Sequence, residues 1–173
     1  NDYGTIGVKT EDEDPTLQVI EITPYRSESG YTDLRRPDTV TFGVSLDEDL
    51  ARRDFTINAL AYRPKTGVLV DHYGGMEDLQ SKRLKTVGDA HERFNEDALR
   101  MMRGVRLAAE LGFIIDPATM TAISENSLLL KRISIERVAA EFLRILNSPE
   151  PMQGMIFLEK LGLLEQFIPE FKE

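Results

Sequence analysis

Two residues in the middle of the chain, Asp97 and Arg100, have side chains that could together read the edge of a nucleobase. A carboxylate only accepts hydrogen bonds, and a guanidinium only donates them. Cytosine and adenine each present a ring-nitrogen acceptor beside an amino donor, so an aspartate and an arginine held side by side complement both. Uracil and guanine present an N–H and a carbonyl in the reversed sense. The pair is therefore predicted to select cytosine and adenine without a nucleic-acid template.

The residue spacing predicts that this pair lies on the polar face of a helix. Asn95 is the candidate N-cap, and the helix is predicted to end at Gly112. At 100° per residue, four charged residues fall in a sector about 120° wide, namely Glu96, Asp97, Arg100 and Arg103. Arg106 extends this polar ridge, and apolar side chains occupy the opposite face. Periodicity alone leaves a second interpretation open, a solvated helix face stabilised by ion pairs between these residues.

A second charged stretch, residues 52–62, begins with two adjacent arginines and an aspartate. Arg52 and Arg53 suit a triphosphate because guanidinium groups bind phosphate oxygens in pairs of hydrogen bonds. If the stretch is helical, Asp54 and Asn58 lie one turn apart, and Asp54 can accept a hydrogen bond from a ribose hydroxyl. Taken alone, the stretch fits equally well the start of a surface helix with Arg–Asp pairing.

The elements around these residues change in character near residues 77–85. Before that point, alternating hydrophobicity predicts strands over 3–9, 17–25 and 39–44, and a buried strand over 68–70 after a turn at 66–67. After it, capping residues predict helices that begin at Asp116-Pro117, at Ser134 and at Pro151. The predicted fold class is α+β, with a mixed part followed by an all-helical part.

The composition narrows the classes of function. The 173 residues are 41% hydrophobic and 29% charged, which is typical of one large or two small globular domains. The absence of Cys excludes disulfides, thiolate catalysis and Cys-ligated zinc, and two His argue against a His-rich metal site. Without an apolar run of about 18 residues or a signal peptide, we expect no membrane span and a cytoplasmic setting.

The charge is unevenly distributed along the chain. Residues 1–80 contain 8 basic and 16 acidic side chains, whereas residues 82–106 contain 7 basic and 4 acidic ones. A basic stretch that includes the predicted base-reading helix is therefore embedded in a chain of net charge −9. The excess of acidic over basic residues argues against strong, non-specific binding of nucleic acid.

The charged segments resemble, in order and spacing, the motifs of the class II tRNA nucleotidyltransferase/poly(A) polymerase family, bacterial branch. Four segments carry the resemblance, and a fifth resembles the family's flexible loop; they are residues 52–59, 71–75, 96–103 and 133–138, and the loop at 28–36. The resemblance covers essentially the whole chain. It implies that 1–80 is the C-terminal part of a nucleotidyltransferase head, a partial palm with an antiparallel or mixed sheet. It implies that 81–173 is a helical neck, which recognises the base and binds RNA, and the start of a body.

The same resemblance implies roles for individual residues. Those implied to bind the nucleotide are Arg52, Arg53, Asp54, Asn58, Glu96, Asp97, Arg100 and Arg103. In this set Asp97 and Arg100 read the base, Glu96 orients them, Arg53 binds the triphosphate and Asp54 the ribose. The flexible-loop residues are Tyr31, Asp33, Arg35 and Arg36. Glu21 matches the third acidic position of the catalytic sheet, and the alternative for it is a strand glutamate that faces solvent.

The implied reaction adds CCA, or its terminal A, to tRNA 3′ ends from CTP and ATP. The family's two Mg²⁺ ions are held by an Asp-x-Asp pair, and we expect those ligands upstream of Asn1 because the sequence contains no Gly-Gly-x-x-Arg-Asp segment. Asp12 and Asp14 have the right spacing but stand in an acidic loop beside Pro15. The chain alone is therefore expected not to transfer nucleotides. Two alternatives stay open, a poly(A) polymerase of the same family and a non-catalytic helical module that binds RNA or protein.

Overall fold

Three antiparallel β-hairpins and two short helices make up the first part of the chain. The computed structural model describes residues 4–30 and 37–172. The hairpins are β1 (Ile6–Lys9) with β2 (Val19–Ile22), β3 (Arg26–Ser29) with β4 (Thr39–Phe42), and β5 (Leu60–Arg63) with β6 (Val68–Asp71). Helix α1 (Leu46–Ala51) follows β4, and helix α2 (Gly75–Gln80) follows β6. Ser45 and Glu48 form a capping box that begins α1, because each side chain bonds to the other residue's backbone N–H.

The strands of the first part are more exposed than the sequence pattern predicts. All residues of β1 and β2 are exposed, and Glu21 lies there opposite Gly7. The strand predicted over 68–70 is present as β6, but the prediction that it is buried is wrong, since Val68 and Leu69 are 48% and 43% exposed. Each described strand of this part pairs with a single neighbour. A two-stranded hairpin has little core of its own, so apolar side chains in it stay accessible.

The second part is helical apart from one small parallel ladder, in which β7 (Arg83–Leu84) pairs with β8 (Ile114–Ile115). Its helices are α3 (Ala90–Glu96), α4 (Leu99–Leu111), α5 (Pro117–Asn126), α6 (Ile135–Leu146) and α7 (Pro151–Lys160). The predicted starts at Asp116-Pro117, Ser134 and Pro151 are confirmed. Asp116 caps α5 with its carboxylate, whereas the Ser134 side chain makes no capping hydrogen bond. The α+β fold class is confirmed, and the ladder is the one departure from an all-helical second part within the described residues.

The helix expected to begin at Asn95 is two helices. Asn95 lies inside α3, which is capped by Asp89 through the backbone N–H of Glu92 at 3.0 Å. Asp97 has an extended backbone, with φ −141° and ψ 104°, and ends α3. Its Oδ1 accepts a hydrogen bond from the Leu99 N–H at 3.0 Å, in the first turn of α4. The prediction that Asn95 is the N-cap is therefore wrong, because Asn95 lies within α3 and α4 begins after Ala98, next to Asp97.

Phe55 joins the two parts of the chain. Its side chain is completely buried in the core that the helices form, and a Cβ added at Gly104 would lie 3.1 Å from its ring. The adjacent Thr56 N–H donates to the carbonyl of Lys85 at 2.9 Å. Residues 52–58 form a loop and one 3₁₀ turn rather than an α-helix. This segment, which carries the predicted phosphate and ribose ligands, is thus anchored directly against the helices.

Gly75 allows helix α2 to approach the same segment closely. A Cβ at this position would lie 2.3 Å from the carbonyl oxygen of Thr56. The Thr56 hydroxyl also donates to the buried carboxylate of Asp78 at 2.7 Å, and Asp78 receives the Nε–H of Arg83 at 2.6 Å. These contacts connect residues 52–58, helix α2 and the beginning of the second part.

Candidate functional site

An open cleft of about 690 Å³ lies where the first part of the chain meets helices α4 and α6. Its lining includes eight arginines and three carboxylates, although the whole chain has a net charge of −9. The arginines are Arg26, Arg52, Arg53, Arg100, Arg103, Arg106, Arg137 and Arg144. An excess of guanidinium groups in a concave site favours an anionic ligand, phosphates above all.

The carboxylate of Asp54 lies at the wall of this cleft and is almost completely buried. Its Oδ2 accepts from the Nε and Nη2 groups of Arg103 at 2.9 and 2.6 Å. Its Oδ1 accepts from the Phe55 N–H at 2.9 Å and from the amide of Asn58 at 3.0 Å. The predicted association of Asp54 with Asn58 is thus present, but through a 3₁₀ turn rather than a turn of α-helix.

These contacts keep Asp54 ionised. Burial raises the pKa of its carboxyl, but the charge of Arg103 and the hydrogen bonds from Asn58, Arg103 and Phe55 together lower it further. The net pKa therefore lies below the ordinary value for Asp. The pKa of the Arg103 guanidinium is raised, because burial lowers it but Asp54, with Glu141 and Asp97, raises it further.

Asp97 and Arg100 both line the cleft, but they are not paired with each other. Arg100 donates to the Glu96 carboxylate and to the carbonyls of Arg93 and Arg52, the last two at 3.2 Å. Asp97 receives the Nη2 group of Arg137 at 3.2 Å. The expected pairing of Asp97 with Arg100 is absent because the extended backbone at Asp97 separates α3 from α4. The expected Glu96–Arg100 pair is present across that break.

The two adjacent arginines of the 52–58 segment have different environments. The Arg52 side chain is 15% exposed and donates to three acceptors, the Arg26 carbonyl, Glu28 and Asp49. The Arg53 side chain is 44% exposed, and among the residues that the structure describes it makes a single hydrogen bond, from Nη2 to Asp49 at 2.9 Å. Arg52 is therefore committed to the structure around it, whereas Arg53 retains N–H donors that can turn toward a ligand.

Arg106 differs from the prediction of an exposed polar ridge. Its side chain is buried, and it donates to Glu110 at 2.7 Å and to Glu141 at 2.6 Å. Because Glu141 belongs to α6, this arginine holds α4 and α6 together. Helical periodicity places Arg106 on the polar side of α4. It does not show that a partner of Arg106 lies on α6, because that contact depends on how the two helices pack.

Two family models match the chain. The poly A polymerase head domain matches residues 1–85, and the probable RNA and SrmB- binding site of polymerase A matches residues 112–173. The chain is 57% identical over 135 residues to a CCA-adding enzyme of Lacticaseibacillus paracasei, which covers 78% of the chain and 34% of that relative. It is 47% identical over 173 residues to one from Enterococcus faecalis, covering 99% of the chain and 41% of that relative. The chain belongs to the tRNA nucleotidyltransferase/poly(A) polymerase family.

Solved structures of the family have the same fold. The Bacillus stearothermophilus CCA-adding enzyme in complex with CTP superposes with a TM-score of 0.80 and 40% identity, covering 93% of this chain and 37% of that one. A tRNA nucleotidyltransferase complexed with a primer tRNA and an incoming ATP analog gives a TM-score of 0.76 and 27% identity, over 96% of this chain and 45% of that one. The chain thus spans well under half the length of the family members it matches.

Some of the residues assigned from the family resemblance lie elsewhere than the cleft. Glu21 is on exposed strand β2 and is not among the cleft's lining residues, so its catalytic role stays a prediction. Glu96 does not line the cleft as far as the structure describes it, but it binds Arg100, which does. The flexible-loop residues lie outside the residues that the structure describes; these are Tyr31, Asp33, Arg35 and Arg36.

The structure adds two residues that the sequence reasoning did not assign to the site. Asp49 is 2% exposed and binds Arg52 and Arg53 together, so its pKa is lowered despite burial. The capping box at Ser45 could have revealed it, because a helix from 46 places Asp49 three and four residues before the arginines. Arg137 holds Asp97 from 40 residues away, and no local pattern indicates such a contact.

The described residues do not fit the family's metal centre. Within 4–30 and 37–172, no three His, Asp or Glu side chains come together as ligands for an ion. Asp12 and Asp14 stay in the β1–β2 loop, where they accept hydrogen bonds from neighbouring backbone groups. In the same part of the chain, no helix is long and apolar enough to cross a membrane.

Proposed function

We propose that this chain is the nucleotide-selecting part of a CCA-adding tRNA nucleotidyltransferase. It binds CTP or ATP in the arginine-rich cleft and presents the nucleotide to the 3′ end of a tRNA. The tRNA 3′-hydroxyl then attacks the α-phosphate, and pyrophosphate leaves. One observation carries the proposal: Asp97 and Arg100 line the same arginine-rich cleft as Arg53 and Asp54 without neutralising each other.

Selection of the base rests on the complementary chemistry of Asp97 and Arg100. Arg100 uses three N–H groups in bonds to Glu96 and two carbonyls, which leaves two of its five for a ligand. Asp97 is fixed by Leu99 and Arg137 and keeps further lone pairs on its carboxylate. A fixed donor and a fixed acceptor match the ring nitrogen and amino group of cytosine and adenine. With uracil or guanine, a ring N–H would face the Arg100 donor and a carbonyl oxygen would face the Asp97 acceptor.

The sugar and phosphates fit the other wall of the cleft. Arg53 offers free guanidinium donors to the triphosphate, and Asp54 and Asn58 lie next to it for the ribose. The described residues provide no ligand set for Mg²⁺. The cytoplasmic setting and the role of Glu21 stay predictions from the sequence.

The two adjacent arginines provide a matched pair of variants to test the proposal. In the full-length protein that contains this chain, CTP and ATP incorporation into a tRNA lacking its CCA end is measured. Arg53→Gln is expected to raise the KM for both nucleotides about tenfold or more, since a charge-assisted bond to phosphate is lost, with little change in melting temperature. Arg52→Gln is expected to lower the melting temperature, because its three internal acceptors lose their donor.

The contradicting outcomes are specific. Failure of the wild-type full-length protein to incorporate either nucleotide contradicts the proposed function. Arg53→Gln with an unchanged KM contradicts the assignment of the triphosphate to Arg53, even if the protein is active.

A poly(A) polymerase is the second candidate, because the family model that matches residues 1–85 is a poly A polymerase head domain. Sequencing the products made from CTP alone, from ATP alone and from both distinguishes the two. A CCA-adding enzyme stops after three nucleotides in the order C, C, A, whereas a poly(A) polymerase extends with ATP alone.

A further inference from the structure

Three arginines of the helical part donate hydrogen bonds to residues 51, 52 and 54, in the segment that carries the proposed phosphate and ribose ligands. Arg93 Nη1 donates to the Ala51 carbonyl at 3.2 Å, and Arg100 Nη2 donates to the Arg52 carbonyl at 3.2 Å. The third contact is the two-bond interaction of Arg103 with the carboxylate of Asp54 at 2.6 and 2.9 Å. We call Arg93, Arg100 and Arg103 the arginine clasp.

Two arginines of the arginine clasp bind backbone oxygens that carry partial negative charge. The carbonyls of Ala51 and Arg52 are at the C-terminal end of helix α1, where unpaired backbone oxygens carry partial negative charge. Guanidinium groups from α3 and α4 complement that charge, and Glu96 lies between Arg93 and Arg100 and binds both. Arg100, which is proposed to read the base, is therefore fixed in part by the backbone just before Asp54, which is proposed to bind the ribose.

Asp54, the residue proposed to bind the ribose, already uses its acceptor sites before any nucleotide binds. Both oxygens of Asp54 already accept two hydrogen bonds each, from Phe55, Asn58 and Arg103. A carboxylate has about four acceptor sites. A ribose hydroxyl that donates to Asp54 must therefore share or displace one of these donors. Arg103 is the donor with most freedom to move, since its side chain is 38% exposed and the Phe55 N–H is fixed by the backbone.

We propose that Arg103 is a positioning residue through which occupancy of the ribose site changes how Arg100 reads the base. The inference rests on the proposed function and deepens it. Arg103 binds the carboxylate of Asp54, and Arg100 binds the carbonyl of Arg52 two residues earlier, so a shift of Arg103 on Asp54 changes the segment that also fixes Arg100. Base discrimination should then be sharper for a ribonucleotide than for the same nucleotide lacking a ribose hydroxyl.

The test measures dissociation constants of CTP and UTP, and of their 2′-deoxy and 3′-deoxy forms, by calorimetry on the full-length protein that contains this chain. The readout is the ratio of UTP to CTP dissociation constants. In the wild type, this ratio is expected to fall about tenfold when the hydroxyl that Asp54 binds is missing, within the usual range of coupling between sites. In Arg103→Gln, the ratio is expected to be the same with and without that hydroxyl. A purely structural role would weaken all six nucleotides equally.

Two further variants keep the result interpretable. Arg103→Lys preserves the charge but not the paired donors, so it is expected to lose most of the sugar dependence while staying folded, and it replaces Arg103→Gln if that variant does not fold. Arg63→Gln removes the same charge from exposed strand β5, outside the cleft lining, and should behave as wild type.

Different results would contradict the inference alone or the proposed base selection as well. A wild type that prefers CTP to UTP equally with and without either hydroxyl overturns the inference alone. So does an Arg103 variant that keeps the sugar dependence. A wild type that binds CTP and UTP equally well overturns the proposed base selection and the inference with it.

Discussion

Replacing Asp54 by Asn tests whether the cleft wall is held together by charge. Asn has nearly the same shape, and its one carbonyl oxygen can still accept from the Phe55 N–H. What the substitution removes is the negative charge opposite Arg103, which accepts two hydrogen bonds at 2.6 and 2.9 Å. It also replaces one carboxylate oxygen by an NH₂ group, which can only donate. That group would face the two hydrogen-bond donors that the carboxylate oxygen accepts in the wild type.

The size of the effect follows from the burial of the two partners. Asp54 is 8% exposed, whereas the Arg103 side chain is 38% exposed. Removing one partner of a fully buried pair costs about 3–5 kcal/mol, and an exposed pair contributes about 0–1 kcal/mol. Because water reaches Arg103 but not Asp54, we expect an intermediate loss of about 1–3 kcal/mol. For a chain of this length, that corresponds to a melting temperature lower by about 3–9 °C.

Thermal unfolding of the wild type and Asp54→Asn across pH provides the assay. The pKa of Asp54 is lowered in the folded protein, so its contribution to the free energy of unfolding is fully present above the unfolded pKa, about 3.9. As pH falls through the folded pKa, the wild-type carboxylate becomes protonated and the contribution is lost. The difference between the two proteins should therefore be constant from pH 7 to pH 5 and disappear only at lower pH.

Glu13→Gln is the matched control, because it removes one carboxylate charge from the exposed β1–β2 loop. It should melt within about 1 °C of the wild type. Equal melting temperatures of Asp54→Asn and the wild type at pH 7 would refute the reasoning. A difference that already closes between pH 7 and pH 5 would show that another group, not Asp54, is responsible.

Two further substitutions test the packing that positions the cleft. Gly75→Ala places a Cβ 2.3 Å from the Thr56 carbonyl oxygen, so chemical denaturation should show a loss of about 2–4 kcal/mol, and a loss below 0.5 kcal/mol would contradict the close contact. Arg137→Gln leaves Asp97 without its charged partner, so the preference for CTP over UTP should fall several-fold, with a melting temperature lower by about 2–4 °C because the pair is partly buried; a weaker binding of both by the same factor would argue against a positioning role.

Much of the helical part could be predicted because its start signals are local. Asp116-Pro117, Ser134 and Pro151 are followed by helices at the expected positions. The break at Asp97 could not be predicted from such signals. Asn95 and Asp97 are both good capping residues, and the pairing of Glu96 with Arg100 is satisfied across the break as it would be in one helix. The choice between them is made by tertiary contacts, since Asp97 is also held by Arg137 on α6.

The candidate site was predictable as a set of residues but not as an arrangement. Residue types predicted a donor and an acceptor for the base edge and a phosphate ligand, and these roles stay predictions. Their partners come from distant positions, as when Arg103 binds Asp54 from 49 residues away. The adjacent residues Arg52 and Arg53 look equivalent in the sequence, and only the fold directs one inward to Glu28 and leaves the other half exposed.

The most direct test of the central claim is the affinity of the full-length protein that contains this chain for the four ribonucleoside triphosphates, measured by calorimetry. A good bidentate match to a base edge discriminates by about 1–3 kcal/mol, which is roughly fivefold to a hundredfold in the dissociation constant. We predict that the wild type binds CTP and ATP more tightly than UTP and GTP by that factor, and that Asp97→Ala and Arg100→Ala reduce the preference to within about threefold. Equal affinity for all four in the wild type, or a preference that survives both substitutions, would contradict base reading by Asp97 and Arg100.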